Sequence, residues 1–243
     1  MRGAGAPALA FVHGWSCDRS YWNGQLGYFA RRHQVVAVDL AGHGESGVGR
    51  HAWTIPAFGD DVLAVVDQLG LEALVLVGHS MGGDVIVEAG LHLPGRVVGL
   101  VCVDMYSSLG EPLTPEEIQA FLGPLREDFV TKTRALVRGM FVPSSDPALV
   151  DRVAADMSAA PPDIALDSAE HSFRNDRAIL DNLRAVDGAG CGDQPRLPAD
   201  RRRVAPALRH EDRAHVRRRH FLMMEDPDAF NRILDETIEG FAG

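Results

Sequence analysis

Four consecutive apolar residues, Leu74 to Val77, run straight into Gly78-His79-Ser80-Met81-Gly82-Gly83, and a helical pattern from Met81 to Leu93 opens at once. A buried strand followed without a loop by a helix demands a very sharp bend. The pattern G-x-S-x-G answers that demand. Glycines two before and two after the serine let the strand and helix backbones approach closely, and the bend forces strained angles on the serine itself. Ser80 then projects its hydroxyl above the sheet edge, at a helix amino terminus whose free N–H groups and positive dipole end favour an oxyanion. The plainer alternative, a tight turn around a buried serine, fits less well with a strand directly before and a helix directly after.

The same alternation extends along the chain. Ala8 to Val12 is an apolar run ending at His13-Gly14-Trp15, and Val35 to Val38 is another, ending at Asp39 and a glycine-rich turn. Pro56 to Leu69 has helical spacing, and Val97 to Val103 reads as a further buried strand. Strands alternating with helices at this spacing give parallel βαβ units, so the fold class is α/β, a mostly parallel sheet with helices on both faces. Ligands of such sheets collect at the carboxyl ends of the strands.

From Tyr106 to about Ala185 the pattern is helix without strands. Thr114-Pro115-Glu116-Glu117 is a capping box with proline at the first helical position, and Asp146-Pro147 repeats the cap-plus-proline start. This stretch reads as a helical lid inserted after the strand ending near Val103. Asp226-Pro227 then caps a last helix running to about Gly240, with Phe230, Ile233, Leu234, Ile238 and Phe241 on its apolar face. The expected organisation is a core in two parts, 1–105 and 186–243, with the lid at 106–185.

With 46% hydrophobic and 24% charged residues among 243, the chain suits one globular domain or one domain with an insertion. A net charge of -10 argues against wrapping nucleic acid, whose phosphates require a basic face. No uncharged apolar run approaches the roughly 18 residues needed to span a bilayer, and the start has neither the apolar stretch nor the cleavage site of a signal peptide. The expectation is a soluble, cytoplasmic protein without membrane contact. Cys17, Cys102 and Cys191 are an odd number without metal-ligand or redox spacing, so Cys17 and Cys102 read as small buried apolar residues.

A nucleophilic serine needs a base and an oxyanion site. The main-chain N–H groups of Trp15, at the end of the first strand, and of Met81 are candidates to hold a developing negative oxygen. His13 and His43 read as structural residues of their loops. His220, in His220-Phe221-Leu222-Met223-Met224-Glu225-Asp226-Pro227, stands just before the capped terminal helix, where a loop above the sheet edge is expected. It is the candidate base in preference to His171, His210 and His215.

Taken together, H-G-W, D-L-x-G-H-G-x-S, G-H-S-M-G-G and H-F-x-M-x-E-D-P resemble, in that order, the α/β-hydrolase superfamily, and in particular its small esterases and their lidded relatives. The resemblance covers about Ala8 to Val103 and His220 to Phe241. It implies Ser80 as nucleophile, His220 as base, and Trp15 and Met81 as oxyanion donors. A serine where dehalogenases and epoxide hydrolases of this fold carry aspartate points to acyl transfer to water through an acyl-enzyme.

Two departures stand out. The chain looks shortened at its amino end, where the family has an antiparallel hairpin before the first strand seen here. The second departure is 188–219, where the family has its last two parallel strands with the triad acid between them. Nine of the 23 arginines of the chain fall there, and no run of four apolar residues does, so two buried strands are not expected. We read the segment as the product of a shifted reading frame in a GC-rich gene, since arginine codons of the CGN type read one base later give Val, Ala, Asp, Glu or Gly. One permissible back-translation restores two strand-like runs, with an aspartate at the position of Arg196, 24 residues before His220. The gene sequence with an intact mass tests this: one uninterrupted frame encoding the arginines excludes it.

The acid is accordingly the open position of the triad. Asp193 ranks first by its place between the expected strands, followed closely by Asp104 just past Val103, with Asp200 as a third candidate. Asp104 is equally well explained as an ordinary strand-end residue. The expected activity is cleavage of small or medium apolar carboxylic esters, with a small-molecule ester as the partner and an acyl pocket drawn from Met105, Leu109, Phe121, Phe129, Met140 and Phe141. These side chains fit a lid interior equally well. The alternatives are a hydrolase of carbon–carbon bonds in ring-fission products, and a non-catalytic or inactivated member of the fold. No metal-ligand cluster or phosphate-binding loop appears, so no cofactor or metal is expected. Oligomeric state stays open.

Overall fold

A computed structural model of the chain describes residues 1–105, 113–188, 203–208 and 220–242. Leu109, Cys191, Asp193, Arg196, Asp200, His210 and His215 lie outside the described residues.

Strands β1 (Ala8–Val12), β2 (Val35–Val38), β3 (Leu74–His79), β4 (Val97–Val103) and β5 (Arg203–Leu208) form one parallel sheet in the order β2-β1-β3-β4-β5. Every residue of β1 and β3 is buried, as expected of strands covered on both faces. Alternate residues feed two cores. Ala8, Ala10, Val12, Leu74 and Leu76 face α2 (Ile55–Gln68) and α3 (Met81–Leu91), packing on Phe58, Val62, Val85 and Ile86. Leu9, Phe11, Val75 and Val77 face the opposite way, onto Trp22, Phe29 of α1 (Asn23–Phe29), Phe221, and the apolar stripe of the last helix. That stripe is Phe230, Leu234, Ile238 and Phe241, whereas Ile233 is 48% exposed. Full burial of a side chain such as Trp22 or Phe11 contributes about 1.5–3 kcal/mol. Cys17 and Cys102 are buried free thiols, and burial pushes the Cys102 thiol up to about 12.

Between β4 and β5 lie α4 (Pro115–Glu127), α5 (Phe129–Gly139), α6 (Pro147–Met157) and α7 (Pro162–Gly188). Their starts follow local capping chemistry. Thr114 Oγ1 accepts from Glu117 N at 3.2 Å while Thr114 N donates to the Glu117 carboxylate at 2.8 Å, and Asp146 caps α6 through Ala148 N at 2.9 Å. Helix α7 is tied to the sheet domain along much of its length. Trp15 Nε1 donates to Ala165 O at 2.6 Å, Trp53 N to Asp167 at 3.2 Å, Ser172 to Asp84 at 2.8 Å and Asn182 to Glu88 at 3.1 Å. No helix among the described residues is long and apolar enough to cross a membrane.

The arginine-rich stretch was not expected to supply two buried strands, and its described part contributes one, β5. Open ladder positions along β4 pair with whatever extended backbone reaches them, and Arg203–Leu208 does so in parallel. The register shifts between Val101 and Val103, opposite Pro206 and Ala207, which is where a strand lacking a proline N–H breaks its ladder. At the other edge β2 meets a single antiparallel bridge, Arg2 to Val35. A short helix α8 (Leu222–Glu225) and α9 (Pro227–Ala242) complete the chain.

Candidate active site

The bend after β3 has the predicted form. Ser80 has φ 52° and ψ -122°, a region that residues other than glycine rarely occupy, and it immediately precedes α3. A Cβ on Gly78 would lie 2.1 Å from Gly82 O, and one on Gly82 would lie 2.5 Å from His13 O. No side chain fits at either position, which is why strand and helix can turn so tightly. Gly83, which the sequence pattern alone did not single out, has the same constraint: its Cβ would meet Met105 Sδ at 2.7 Å.

The loop after β1 presses against this bend. A Cβ on Gly14 would lie 3.2 Å from Ser80 Cβ, so the main chain entering Trp15 runs beside the serine. Neither Trp15 N–H nor Met81 N–H donates to a main-chain carbonyl among the described residues. His13 locks this loop. Its Nε2 accepts from Leu40 N at 3.0 Å, so the ring hydrogen sits on Nδ1 and is donated to Gly14 O at 2.9 Å. His43 packs 5.1 Å from the His13 ring with its Nδ1 3.1 Å from Ala41 O. Both rings are engaged with backbone, in keeping with structural roles.

The next strand end supplies a carboxylate. His79 pairs with Val103 across β3 and β4, and Ser80 N donates to Val103 O at 2.9 Å, so Ser80 and Asp104 emerge side by side from the sheet. Asp104 turns with φ 41°, a conformation that aspartate tolerates better than most residues. Its Oδ2 lies 2.6 Å from His220 Nδ1. His220, 116 positions further along the chain, thus reaches the carboxyl edge of the sheet. Its N donates to Met140 O at 3.3 Å, its carbonyl contacts His79 Nε2 at 2.9 Å, and its ring centroid lies 4.6 Å from that of His79. The structure therefore brings Ser80, Trp15, Met81, Asp104 and His220 to one edge, whereas Asp193 and Asp200 lie outside the described residues. Sequence reasoning ranked Asp104 behind Asp193 and passed over His79, although G-H-S-M-G-G contains it.

The sequence model of the family described as "alpha/beta hydrolase fold" matches residues 7–155. The chain belongs to the alpha/beta hydrolase fold family. Among curated relatives it is 33% identical over 152 residues to the dihydrolipoyllysine-residue acetyltransferase component of an acetoin cleaving system from Pseudomonas putida, which is 63% of this chain and 39% of that protein. The chain therefore spans well under half the length of the first curated relatives it matches. It is 24% identical to 3-oxoadipate enol-lactonase 2 of Acinetobacter baylyi over 98% of this chain and 91% of that one. A solved hydrolase from Oleispira antarctica has the same fold, with a TM-score of 0.76 at 15% identity, covering 98% of this chain and 93% of that one.

Burial sets the charge of the histidines in this alpha/beta hydrolase chain. Desolvation, reinforced by His43, lowers His13 from 6.5 to about 3. Desolvation also holds His79 well below 6.5, with His220 adding to the effect, and burial lowers His43. Below pH 6.5 the unfolded chain takes up protons that these folded imidazoles refuse. For His13 the resulting contribution to stability is complete above that pH and is lost as the pH falls toward 3, and for His79 and His43 it changes in the same direction. In that window His13 is expected to cost about 1.4 kcal/mol of unfolding free energy per pH unit. Urea unfolding at pH 7.5, 6.0 and 5.0 checks this, and equal stabilities at all three would contradict the neutral burial of these rings.

Proposed function

We propose that this chain is a serine hydrolase of carboxylic esters, and the observation that carries the reading is the 2.6 Å approach of Asp104 Oδ2 to His220 Nδ1 beside Ser80. A carboxylate oxygen only accepts, so the contact fixes the ring hydrogen on Nδ1 and leaves Nε2 as a free lone pair, the form a general base requires. Asp104 takes the acid role in place of Asp193. The acid stabilises the imidazolium that forms when His220 removes the Ser80 proton.

The steps follow from that arrangement. Ser80 Oγ attacks the ester carbonyl as its proton passes to His220, and the carbonyl oxygen, now negative, is held by the N–H groups of Trp15 and Met81. The tetrahedral intermediate collapses to an acyl-enzyme as His220 protonates the departing alcohol. Water then attacks the acyl carbon as its proton passes to His220, and the second tetrahedral intermediate releases the acid as His220 returns that proton to Ser80 Oγ.

Helices α4–α7 serve as the lid, and its described apolar residues divide between two tasks. Phe141 stacks on Phe221 at 5.0 Å and joins the core beneath the lid, while Phe129 meets Trp15 edge-on at 6.2 Å, next to the proposed oxyanion loop. An apolar acyl group suits such a wall. Alignment with a lactonase over nearly the whole chain supports ester chemistry, since a lactone is a cyclic ester.

The test is turnover of p-nitrophenyl butyrate together with labelling by a fluorophosphonate probe, the modified residue being identified by mass spectrometry. Turnover and an adduct on Ser80 are expected. Folded protein without an adduct on Ser80 sinks the reading in favour of a non-catalytic member, and turnover of a dienoic diketone in preference to the ester moves it to carbon–carbon bond hydrolysis.

A further inference from the structure

Beside Ser80 sits a second buried imidazole to which the reaction gives no task. His79 is 1% exposed, and its Nε2 lies 2.9 Å from the carbonyl oxygen of His220. A carbonyl only accepts, so His79 carries its hydrogen on Nε2. Its Nδ1 is buried with no hydrogen-bond partner among the described residues, and Gly14 closes over it so tightly that a Cβ there would come within 3.0 Å. Protonating Nδ1 would bury an N–H without an acceptor and set a like charge against an imidazolium on His220, so His79 stays neutral. Phe221 at 5.4 Å and Trp22, edge-on at 6.5 Å, hold the ring in place.

His220 needs such support. It precedes α8, its own N–H makes a 3.3 Å bond to the end of α5, and its side chain reaches Asp104. The bond from His79 ties its main chain to the sheet.

We propose that His79 is a positioning residue that fastens the carbonyl of His220 to the carboxyl end of β3, the strand end that also carries Ser80. The inference rests on the reading of Ser80 as nucleophile and His220 as base. Because one element then holds both groups, their separation is set by the end of β3 itself. Displacements near 1 Å in such sites cost about 10²-fold in rate.

Two substitutions test it. His79→Leu fills the space without a donor, whereas His79→Gln retains an N–H at similar reach. H79L is expected to lower kcat for p-nitrophenyl butyrate by about 10- to 100-fold with KM within about twofold, and to slow phosphonylation of Ser80 by a similar factor. H79Q is expected to recover most of that loss. If H79L does not fold, His79→Met, flexible and equally without a donor, replaces it. A folded donor-free variant with wild-type kcat, or an H79Q enzyme as slow as H79L, overturns the proposal. Nitrogen-15 NMR of the wild-type histidines separates this from failure of the underlying reading. Protein that does not label at Ser80 but shows His79 as a non-titrating Nε2–H tautomer between pH 5 and 8 keeps the tether and loses the catalysis. A titrating or Nδ1–H His79 removes the tether itself.

Discussion

Asparagine in place of Asp104 is expected to lower kcat by about 10⁴ while leaving the fold intact. The change is nearly isosteric, and asparagine is as tolerant of the φ of 41° as aspartate, so stability has no reason to fall. What changes is the proton. An amide can turn its NH₂ toward His220 Nδ1, which places the ring hydrogen on Nε2 and removes the base, and a neutral amide cannot stabilise an imidazolium. On the proposed assignment of Asp104, from its 2.6 Å contact with His220, Asp193→Asn is expected to leave kcat within about twofold of wild type. Steady-state kinetics on both variants, with matched thermal melts, decide the matter. A large loss in Asp193→Asn together with an active Asp104→Asn would return the acid to the arginine-rich segment.

On the proposed mechanism, replacing Ser80 by alanine is expected to reduce kcat by about 10⁶ and to abolish fluorophosphonate labelling, as when the nucleophile of a Ser-His-Asp enzyme is removed. Glycine at the same position separates strain from chemistry. The backbone angles of Ser80 cost about 1–3 kcal/mol in any residue with a Cβ, a cost that glycine avoids at the expense of about 0.5–1 kcal/mol of chain entropy. Ser80→Gly is thus expected to be equally inactive yet more stable to urea than Ser80→Ala by about 1 kcal/mol. Retention of more than about one percent of ester turnover by Ser80→Ala would show that another group performs the attack.

Much of the framework was legible in the residues because the signals are local. The apolar runs at Ala8–Val12, Val35–Val38 and Val97–Val103 became strands with those bounds, since a strand covered on both faces needs no more than a short continuous apolar stretch. Helices begin at Pro115, Pro147 and Pro227, directly after the capping residues Thr114, Asp146 and Asp226. Strand β5 was not legible, because Arg203–Leu208 is ordered into the sheet by the ladder positions β4 offers rather than by an apolar run of its own.

Within the candidate site the division is sharper. Amino-acid order alone determined the bend at Ser80, because glycines at 78 and 82 and a strand-to-helix switch are features of a dozen adjacent residues. It also nominated the imidazole at 220. Only the tertiary structure decided which carboxylate meets that imidazole and that His79 grips its backbone. Both contacts close loops of more than a hundred residues, and the order of strands across the sheet, which no local pattern encodes, is what places the ends of β3 and β4 next to each other beneath His220.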